Sequence, residues 1–383
     1  MPISIYDIAD QAIKAANTVV EVRHRMLAPT ATKAAPVFNA AQLAVLCEAD
    51  KNQIAYRLKQ GGLPSGVPTA SGRRREFTLA EAREWVRAFR ARFARPAGAP
   101  AITIAVGNFK GGVSKTTTVM TLAQGLSLRG HRVLAIDMDP QGSLTTLFGI
   151  IPDAEVGEGD TFVALANGDE TSLDYAIRPT YWDGIDLVPA SQTLATCEFT
   201  LPARQMKDPK FEFWNVLNAG LAAAREKYDV ILIDTPPALN YCTINAFMAA
   251  EGLVVPTPPN ALDFLSSAQF WTLFSDLALN LTQTTGADKS YEFIHVLLSR
   301  VDHSDVAANV VRQWISATYA EKVLPVEVPK TAVTSTSSAE FGTVYDISRY
   351  EGSASTYRRA REAYDRVTEL LEQSIVAYWT KAQ

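Results

Sequence analysis

This sequence of 383 residues has no long apolar run and few cysteines or histidines. No stretch approaches the roughly eighteen apolar residues that cross a bilayer, so we expect no membrane span. The N-terminus, MPISIYDIADQ, lacks the basic-then-apolar pattern of a secretory leader. Cys47, Cys197 and Cys242 are odd in number and widely separated, which predicts buried thiols in a reducing cytoplasm and not disulfides or metal ligands.

Charge is divided unevenly along the chain. Residues 1–100 carry 15 Lys/Arg and 8 Asp/Glu, a balance of +7, whereas the remaining residues carry 21 and 33, a balance of −12. A basic N-terminal region on an acidic body predicts a nucleic-acid contact at the N-terminus. A solvated basic face without a partner explains the same numbers, so charge alone leaves both interpretations open.

Residues 1–35 are predicted to form a helix and a linker. Residues 3–27 place apolar side chains at spacings of three and four, which is typical of an amphipathic helix that must bury its apolar stripe. Two prolines within residues 28–36 then break the pattern.

Residues 36–98 predict a winged helix-turn-helix DNA-binding domain. Asn39 is the expected cap of a first helix, and a polar turn at 48–50 leads into a second helix at 51–59. A hairpin with a basic tip follows, and Thr78 with Glu81 predicts a capping box on a third helix. Helix, turn, helix, hairpin and helix is the layout of that domain.

The second helix and the hairpin carry the side chains expected to meet DNA. Amide and guanidinium groups can read base edges, while other cations meet phosphates. The predicted contacts are Lys51, Asn52, Gln53, Tyr56, Arg57 and Lys59 on the helix, and Arg73, Arg74 and Arg75 at the hairpin tip. A small protein-binding domain with a charged rim is the alternative. Palindromic half-sites require a dimer, which makes the 3–27 helix the expected dimerisation element.

From residue 99 onward, short β-branched runs alternate with helical stretches. The strand candidates are residues 102–107, 132–138, 185–190, 229–235, 252–257, 293–299 and 323–328. Near-continuous apolar strands between helices predict an α/β domain over residues 99–383, with a mostly parallel sheet covered on both faces.

The stretch NFKGGVSKTTT follows the first of these strands and opens a helix. Gly111 and Gly112 let the backbone close on phosphates, Lys115 is placed for the β- and γ-phosphates, and Thr116 for Mg²⁺. The usual pattern has glycines where Phe109 and Ser114 stand.

A second motif, YDVILIDTPP, ends a strand at Asp234, where a carboxylate orients the Mg²⁺ shell. Either motif alone has a structural explanation, as a glycine turn or as an aspartate that ends a strand. Together, each at the carboxyl end of a strand, they predict ATP binding.

Three motifs, KGGVSKT, DMDPQGS and ILIDTPP, resemble those of the deviant-Walker ATPases of the ParA/MinD group. The closer resemblance is to the larger ParA-type partition proteins with an N-terminal helix-turn-helix, and it covers nearly the whole chain. It implies a P-loop NTPase fold, ATP/ADP and Mg²⁺ as ligands, and Mg²⁺-dependent hydrolysis of ATP to ADP and phosphate. The implied nucleotide-binding residues are Gly111, Gly112, Val113, Ser114, Lys115, Thr116 and Thr117.

The resemblance also assigns catalytic roles. Lys110 is implied to reach across an ATP-sandwich homodimer to the partner's nucleotide, while Lys115 binds phosphate in its own subunit. A surface lysine beside a loop is the alternative for Lys110. Asp139 is implied to orient the attacking water, and Asp137 is expected to be structural. An adenine edge at Pro329 and Lys330 is a weaker expectation.

The resemblance further implies partners and a cellular role. The ATP-bound dimer would bind nucleoid DNA non-specifically through C-terminal basic residues, here Arg349, Arg358, Arg359 and Arg361, although a solvated face is an equal alternative for them. A ParB-type centromere-binding protein would stimulate hydrolysis, and the helix-turn-helix would regulate the protein's own operon. The final helix lacks a basic amphipathic face, which argues against membrane binding. We therefore expect a cytoplasmic, nucleoid-associated protein.

Two other functions remain as alternatives. An ATP-gated transcriptional repressor without significant turnover would share the same motifs, although Asp139 and Asp234 speak for hydrolysis. A metabolic P-loop enzyme is the other, and the DNA-binding front end counts against it.

Overall fold

The computed structural model of the protein describes residues 3–26, 33–69, 75–286, 289–330, 342–347 and 353–381. Its first element is α1 (Ile5–Met26), close to the helix predicted at 3–27. The apolar side chains of α1 are exposed, Ile5 to 70% and Ile8 to 57%. Within the described part of the chain, nothing buries the apolar stripe of this helix.

Residues 33–95 contain the helices and strands expected of the N-terminal unit. They are β1 (Phe38–Asn39), α2 (Ala40–Leu46), α3 (Lys51–Gln60), β2 (Val67–Pro68), β3 (Arg75–Phe77) and α4 (Leu79–Phe89). The strands form an antiparallel sheet with β3 in the centre. Asn39 caps α2, and Thr78 with Glu81 form the capping box of α4, as predicted. That this unit binds DNA stays a prediction.

A second sheet of eight strands forms the body of the protein. Its strands are β4 (Ile102–Val106), β5 (Val133–Asp137), β6 (Arg178–Pro179), β7 (Ile185–Val188), β8 (Val230–Asp234), β9 (Gly252–Thr257), β10 (Phe293–Val301) and β11 (Val323–Pro329). Their order is β11-β10-β9-β4-β8-β5-β7-β6, and every pair is parallel except β6–β7. The seven predicted strands are present, whereas β6 was missed because a two-residue edge strand has no apolar pattern.

Helices cover both faces of this sheet, as predicted. They are α5 (Lys115–Leu128), α6 (Ser143–Leu147), α7 (Pro152–Glu155), α8 (Val163–Asn167), α9 (Cys197–Lys207), α10 (Val216–Gly220), α11 (Ala222–Lys227), α12 (Tyr241–Ala249), α13 (Ala261–Thr285), α14 (Val306–Tyr319) and α15 (Ala354–Lys381). One core joins Val119 of α5 and Trp379 of α15 to Trp85 of the N-terminal unit. The other contains Phe247 of α12 and Phe270 of α13.

The three cysteines carry free, buried thiols, in agreement with the sequence. Burial raises the pKa of Cys47 to about 12, so this thiol stays protonated and unreactive at neutral pH. None of the described helices is both long and apolar enough to span a membrane.

Two arginines on α4 and Arg90, which directly follows this helix, attach the N-terminal unit to the far end of α5. Arg83 donates through Nε to the Ser127 oxygen at 3.0 Å and through Nη2 to the His131 oxygen at 2.8 Å. Arg87 Nε donates to the Gly130 oxygen at 2.9 Å, and Arg90 Nη1 to the Arg129 oxygen at 3.1 Å. A helix end leaves carbonyl oxygens without partners, and these guanidinium groups satisfy those of α5 and the turn after it. The helix that opens at the phosphate loop therefore ends against the N-terminal unit.

Candidate functional site

The loop between β4 and α5 forms an open cradle at the carboxyl edge of the sheet. Gly112 and Ser114 have left-handed backbones, with φ of 74° and 76°. A Cβ at Gly111 would meet nothing within 4 Å. Left-handed backbone favours glycine, and it costs another L-residue about 1–2 kcal/mol. Position 114 therefore suits the glycine of the usual pattern, and Ser114 occupies it under strain.

The two loop lysines lie in different surroundings. Lys115 is buried and donates from Nζ to the main-chain oxygen of Lys110 at 3.0 Å. Burial lowers the pKa of Lys115, while the charges of Asp234 and Asp139 oppose that change. Lys110 is partly exposed, and within the described chain its ammonium has no hydrogen bond or ion pair. One lysine thus faces the cradle, and the other presents a free cation at its rim.

Asp234 ends β8 as a fully buried carboxylate. Among the described residues, neither of its oxygens has a hydrogen-bond partner of good geometry. Burial raises the pKa of Asp234 well above its usual value, as does the nearby Asp137, while Thr116 and Lys115 lower it. A buried carboxylate without a partner is costly unless a cation satisfies it. Carboxylate and hydroxyl oxygens suit Mg²⁺, so Asp234 and Thr116 fit that ion.

The two aspartates at the end of β5 and just after it lie in different surroundings. Oδ2 of Asp137 accepts from the N–H of Thr145 at 2.9 Å and from its hydroxyl at 2.8 Å. Burial raises the pKa of Asp137 to about 7 although Thr145 opposes this. Asp139 is 9% exposed and its Oδ1 accepts from the Gln141 N–H at 2.9 Å. Asp137 therefore braces the loop, whereas Oδ2 of Asp139 has no partner within the described chain.

Parallel pairing brings these groups together. Asp234 lies opposite Val106 on one side and Asp137 on the other, so the loop and both carboxylates meet at one edge. A cavity of about 690 Å³ opens there. Its wall includes Gly111, Gly112, Ser114, Lys115, Thr116, Thr117, Asp139, Leu147, Val328, Pro329, Lys330 and Tyr364. Pro329 and Lys330, the residues of the predicted adenine edge, therefore lie on this wall, whereas no sequence pattern pointed to Leu147 or Tyr364.

Two further residues, which the sequence analysis missed, hold the loop from the end of β10. The Ser299 hydroxyl donates to the Val113 oxygen at 3.0 Å, and Arg300 Nη1 donates to the Gly112 oxygen at 2.6 Å. Arg300 is exposed, lines the cavity and has a left-handed backbone with φ of 53°. Strained backbone is concentrated at functional sites, which makes Arg300 a candidate functional residue. No sequence pattern predicts the positive φ of Arg300.

The predicted DNA contacts of α3 lie on its exposed face. The exposed residues are Lys51, Asn52, Gln53, Tyr56, Arg57 and Lys59. Gln53 also accepts from the N–H of Asp50 at 2.9 Å, which completes the N-terminal cap of α3. Arg75 donates to the Ser65 oxygen at 2.6 Å, and Arg73 and Arg74 lie outside the described residues.

The C-terminal basic residues separate into different environments. Arg358 and Arg359 are exposed near the start of α15, whereas Arg349 lies outside the described residues. Arg361 binds Asp365 through Nε at 3.2 Å and stacks over the Tyr345 ring at 4.1 Å. Arg361 is therefore held within the fold by these contacts, and its contact with DNA stays a prediction.

A parallel sheet with a phosphate loop after its central strand defines this protein as a P-loop NTPase. Residues 101–285 match a family model described as an AAA domain. The chain is 35% identical to the putative replication protein A of Rhizobium rhizogenes, over 72% of this chain and 69% of that protein. It is 30% identical to the chromosome partitioning protein ParA of Caulobacter vibrioides, over 70% of this chain and 95% of ParA. The chain belongs to the ParA family of partition ATPases.

Solved structures share this fold. A structure described as a partition protein matches with a TM-score of 0.67 at 19% identity, over 97% of this chain and 98% of the other. Because nearly the whole chain is covered, the shared fold includes the N-terminal unit. Cobyrinic acid a,c-diamide synthase from Mycobacterium smegmatis, with a bound ATP analogue and magnesium, matches with a TM-score of 0.56 at 28% identity. That match covers 71% of this chain and 94% of the synthase.

Proposed function

We propose that this protein is an ATP-dependent DNA partition ATPase. The observation that carries the proposal is the pair of lysines in one phosphate loop. Lys115 is buried in the cradle, and the ammonium of Lys110 at its rim has no partner among the residues that the structure describes. One lysine suffices to bind the phosphates of a nucleotide in the same subunit. A second cation at the rim suits a nucleotide held by another subunit.

ATP is the nucleotide that the site and the synthase structure support. Backbone N–H groups of the loop, together with the N-terminus of α5, would donate to its phosphates, and Lys115 would bind the β- and γ-phosphates. Asp234 and Thr116 would hold Mg²⁺, since neither oxygen of that carboxylate has a hydrogen-bond partner among the described residues. When bound, Mg²⁺ neutralises negative charge on the phosphate oxygens. Val328, Pro329 and Lys330 would border adenine at the far wall.

Hydrolysis requires a positioned water and a stabilised transition state. Asp139 has a carboxylate oxygen without a partner on the cavity wall, so it would orient the attacking water. Lys110 would approach the partner's γ-phosphate in an ATP-sandwich homodimer. A cation there stabilises the developing phosphoryl charge in the way that an arginine finger does. Turnover would therefore require two subunits to meet.

DNA binding is assigned to two surfaces. The exposed face of α3 would read an operator, and Arg358 with Arg359 would meet nucleoid DNA without sequence preference. The exposed apolar side chains of α1, including Ile5 and Ile8, would be buried in a dimer that matches palindromic half-sites. A ParB-type partner would stimulate hydrolysis and release the protein from the nucleoid. An ATP-gated repressor is the alternative.

ATP turnover tests this proposal. The wild type, Lys110→Ala and Lys115→Ala are compared with and without duplex DNA, and with the centromere-binding partner. Slow hydrolysis that DNA and partner raise, and that both substitutions abolish, supports the sandwich dimer. Wild-type turnover by Lys110→Ala would refute the contact between subunits. No turnover under any condition would favour the ATP-gated repressor.

A further inference from the structure

A second charged cavity lies at the opposite edge of the sheet from the phosphate loop. Its volume is about 370 Å³, and it lies between the N-terminal unit and the body of the protein. Five arginines line it: Arg87, Arg90, Arg95, Arg129 and Arg132. The 14 residues of α5 separate it from the phosphate loop, a length of about 20 Å. It is therefore distinct from the nucleotide site.

The carboxylates around this cavity do not balance its arginines. Glu372 pairs with Arg90 and Arg129 at 2.7 Å each. Asp229 pairs with Arg95 at 3.2 Å and Arg132 at 3.3 Å, and Glu48 pairs with Arg90 at 3.0 Å. Three carboxylates thus face five guanidinium groups. An excess of positive charge on a body that is acidic overall suits an anion.

Three of the arginines also have donors to spare. Arg87 bonds only through Nε, Arg129 only through Nη1, and Arg132 only through Nη2, counting side-chain bonds within the described residues. Arg87 is exposed, and the Arg132 side chain is 49% exposed. In contrast, Arg90 and Arg95 use all three of their nitrogens to hold the fold. The free N–H groups are arranged as forks, which is the geometry that phosphate oxygens accept.

The position of the cavity identifies the source of the phosphate. Glu48 lies in the turn just before Asp50, which caps the start of α3, and it pairs with both Arg90 and Arg92. Recognition helices of helix-turn-helix units contact DNA through their N-terminal residues. A duplex bound at the start of α3 would lie close to Arg92, whose side chain is 74% exposed and pairs with the same Glu48 that pairs with Arg90 of the cavity.

We propose that Arg87 and Arg132 bind a phosphate of the DNA backbone in this cavity. The proposal rests on the proposed DNA binding and adds to it a contact shared by the two parts of the chain. Such a contact would hold the body of the protein against the duplex that α3 engages. DNA binding would thereby depend on how the N-terminal unit sits on the end of α5.

The salt dependence of DNA binding tests this contact. Affinity for a mixed-sequence duplex is measured by fluorescence anisotropy over a range of salt concentrations, for the wild type, Arg87→Gln and Arg132→Gln. Loss of this one phosphate contact should lower the slope of log affinity against log salt by about 0.9 in the double variant, and each single variant should show part of that change. Lys207→Gln removes one exposed charge on α9 and serves as the matched control, with an unchanged slope. Thermal unfolding checks that each variant is folded.

The outcomes separate this inference from the function on which it rests. If the wild type does not bind DNA, the proposed function fails as well. If it binds and the double variant keeps the wild-type slope, only the phosphate contact is refuted. Binding of sodium tripolyphosphate to the ADP-saturated protein is measured in parallel by calorimetry. Tripolyphosphate binding that the double variant loses, with the DNA slope unchanged, would overturn DNA as the source and assign the cavity to free polyphosphates.

Discussion

Replacing Glu372 by glutamine should weaken the attachment between α15, α5 and the N-terminal unit. The carboxylate is 3% exposed and accepts from Arg90 Nη2 and Arg129 Nη1, each at 2.7 Å. His131 Nε2 lies 2.8 Å from its other oxygen. The amide would keep the shape of the side chain and remove its charge. Buried guanidinium groups would then lose the anion that compensates them.

The lowered pKa of Glu372 gives the size of the expected loss in the free energy of unfolding. Burial raises this pKa, but hydrogen bonds from His131 and Arg90 outweigh burial and lower it from 4.5 to about 2. This fall in pKa corresponds to roughly 3 kcal/mol at pH 7, at the low end of the roughly 3–5 kcal/mol for breaking a buried ion pair. Because the folded-state pKa is depressed, this stability is present above pH 4.5 and is lost as the pH falls through 2. About 2 kcal/mol should remain at pH 3.5.

Urea unfolding followed by tryptophan fluorescence measures the effect, since the Trp379 ring lies 5.7 Å from that of His131. Glu369→Gln is the matched control on the same helix, because Glu369 is 40% exposed and pairs with Arg366 at the surface. The control should change the free energy of unfolding by less than about 0.5 kcal/mol. A loss below about 1 kcal/mol for Glu372→Gln at pH 7 would refute the reasoning. A difference in the free energy of unfolding between the wild type and Glu372→Gln that stays constant from pH 7 to pH 3.5 would refute it as well.

Substitutions at three further positions test the nucleotide site. Ser114→Gly should raise the thermal midpoint, because glycine adopts a φ of 76° without a strain of about 1 kcal/mol; an unchanged midpoint would contradict that strain. Arg300→Met should weaken ADP binding about fivefold in calorimetry, since it loses the hydrogen bond to the Gly112 oxygen, and Arg300→Lys should restore part of it. Asp234→Asn should make ADP affinity insensitive to EDTA, whereas the wild type should lose affinity when Mg²⁺ is removed. Equal sensitivity in both proteins would exclude Asp234 as a Mg²⁺ ligand.

The local features of this protein follow from its sequence. The apolar runs of the central strands, such as 230–234, are long enough to predict a parallel sheet covered on both faces. The cap at Asn39 and the capping box at Thr78 are short patterns whose partners lie two or three residues away, so they too were predicted. The phosphate loop also belongs to this group, because glycines, lysines and a strand-to-helix junction specify it within eleven residues.

Contacts between distant parts of the chain were decided only by the tertiary structure. Arg300 and Ser299 brace the loop from nearly two hundred residues away, and no periodicity links them to it. The sequence shows that Arg83, Arg87 and Arg90 recur at the spacing of one helix face. It does not show which carbonyl oxygens these side chains bind. Neither oxygen of the Asp234 carboxylate has a hydrogen-bond partner among the described residues, and this too depends on which strands flank β8. Local propensities act over a few residues, whereas strand order and domain docking bring remote residues together. The sequence alone therefore predicted where the candidate site lies, and the tertiary structure determined which residues surround it.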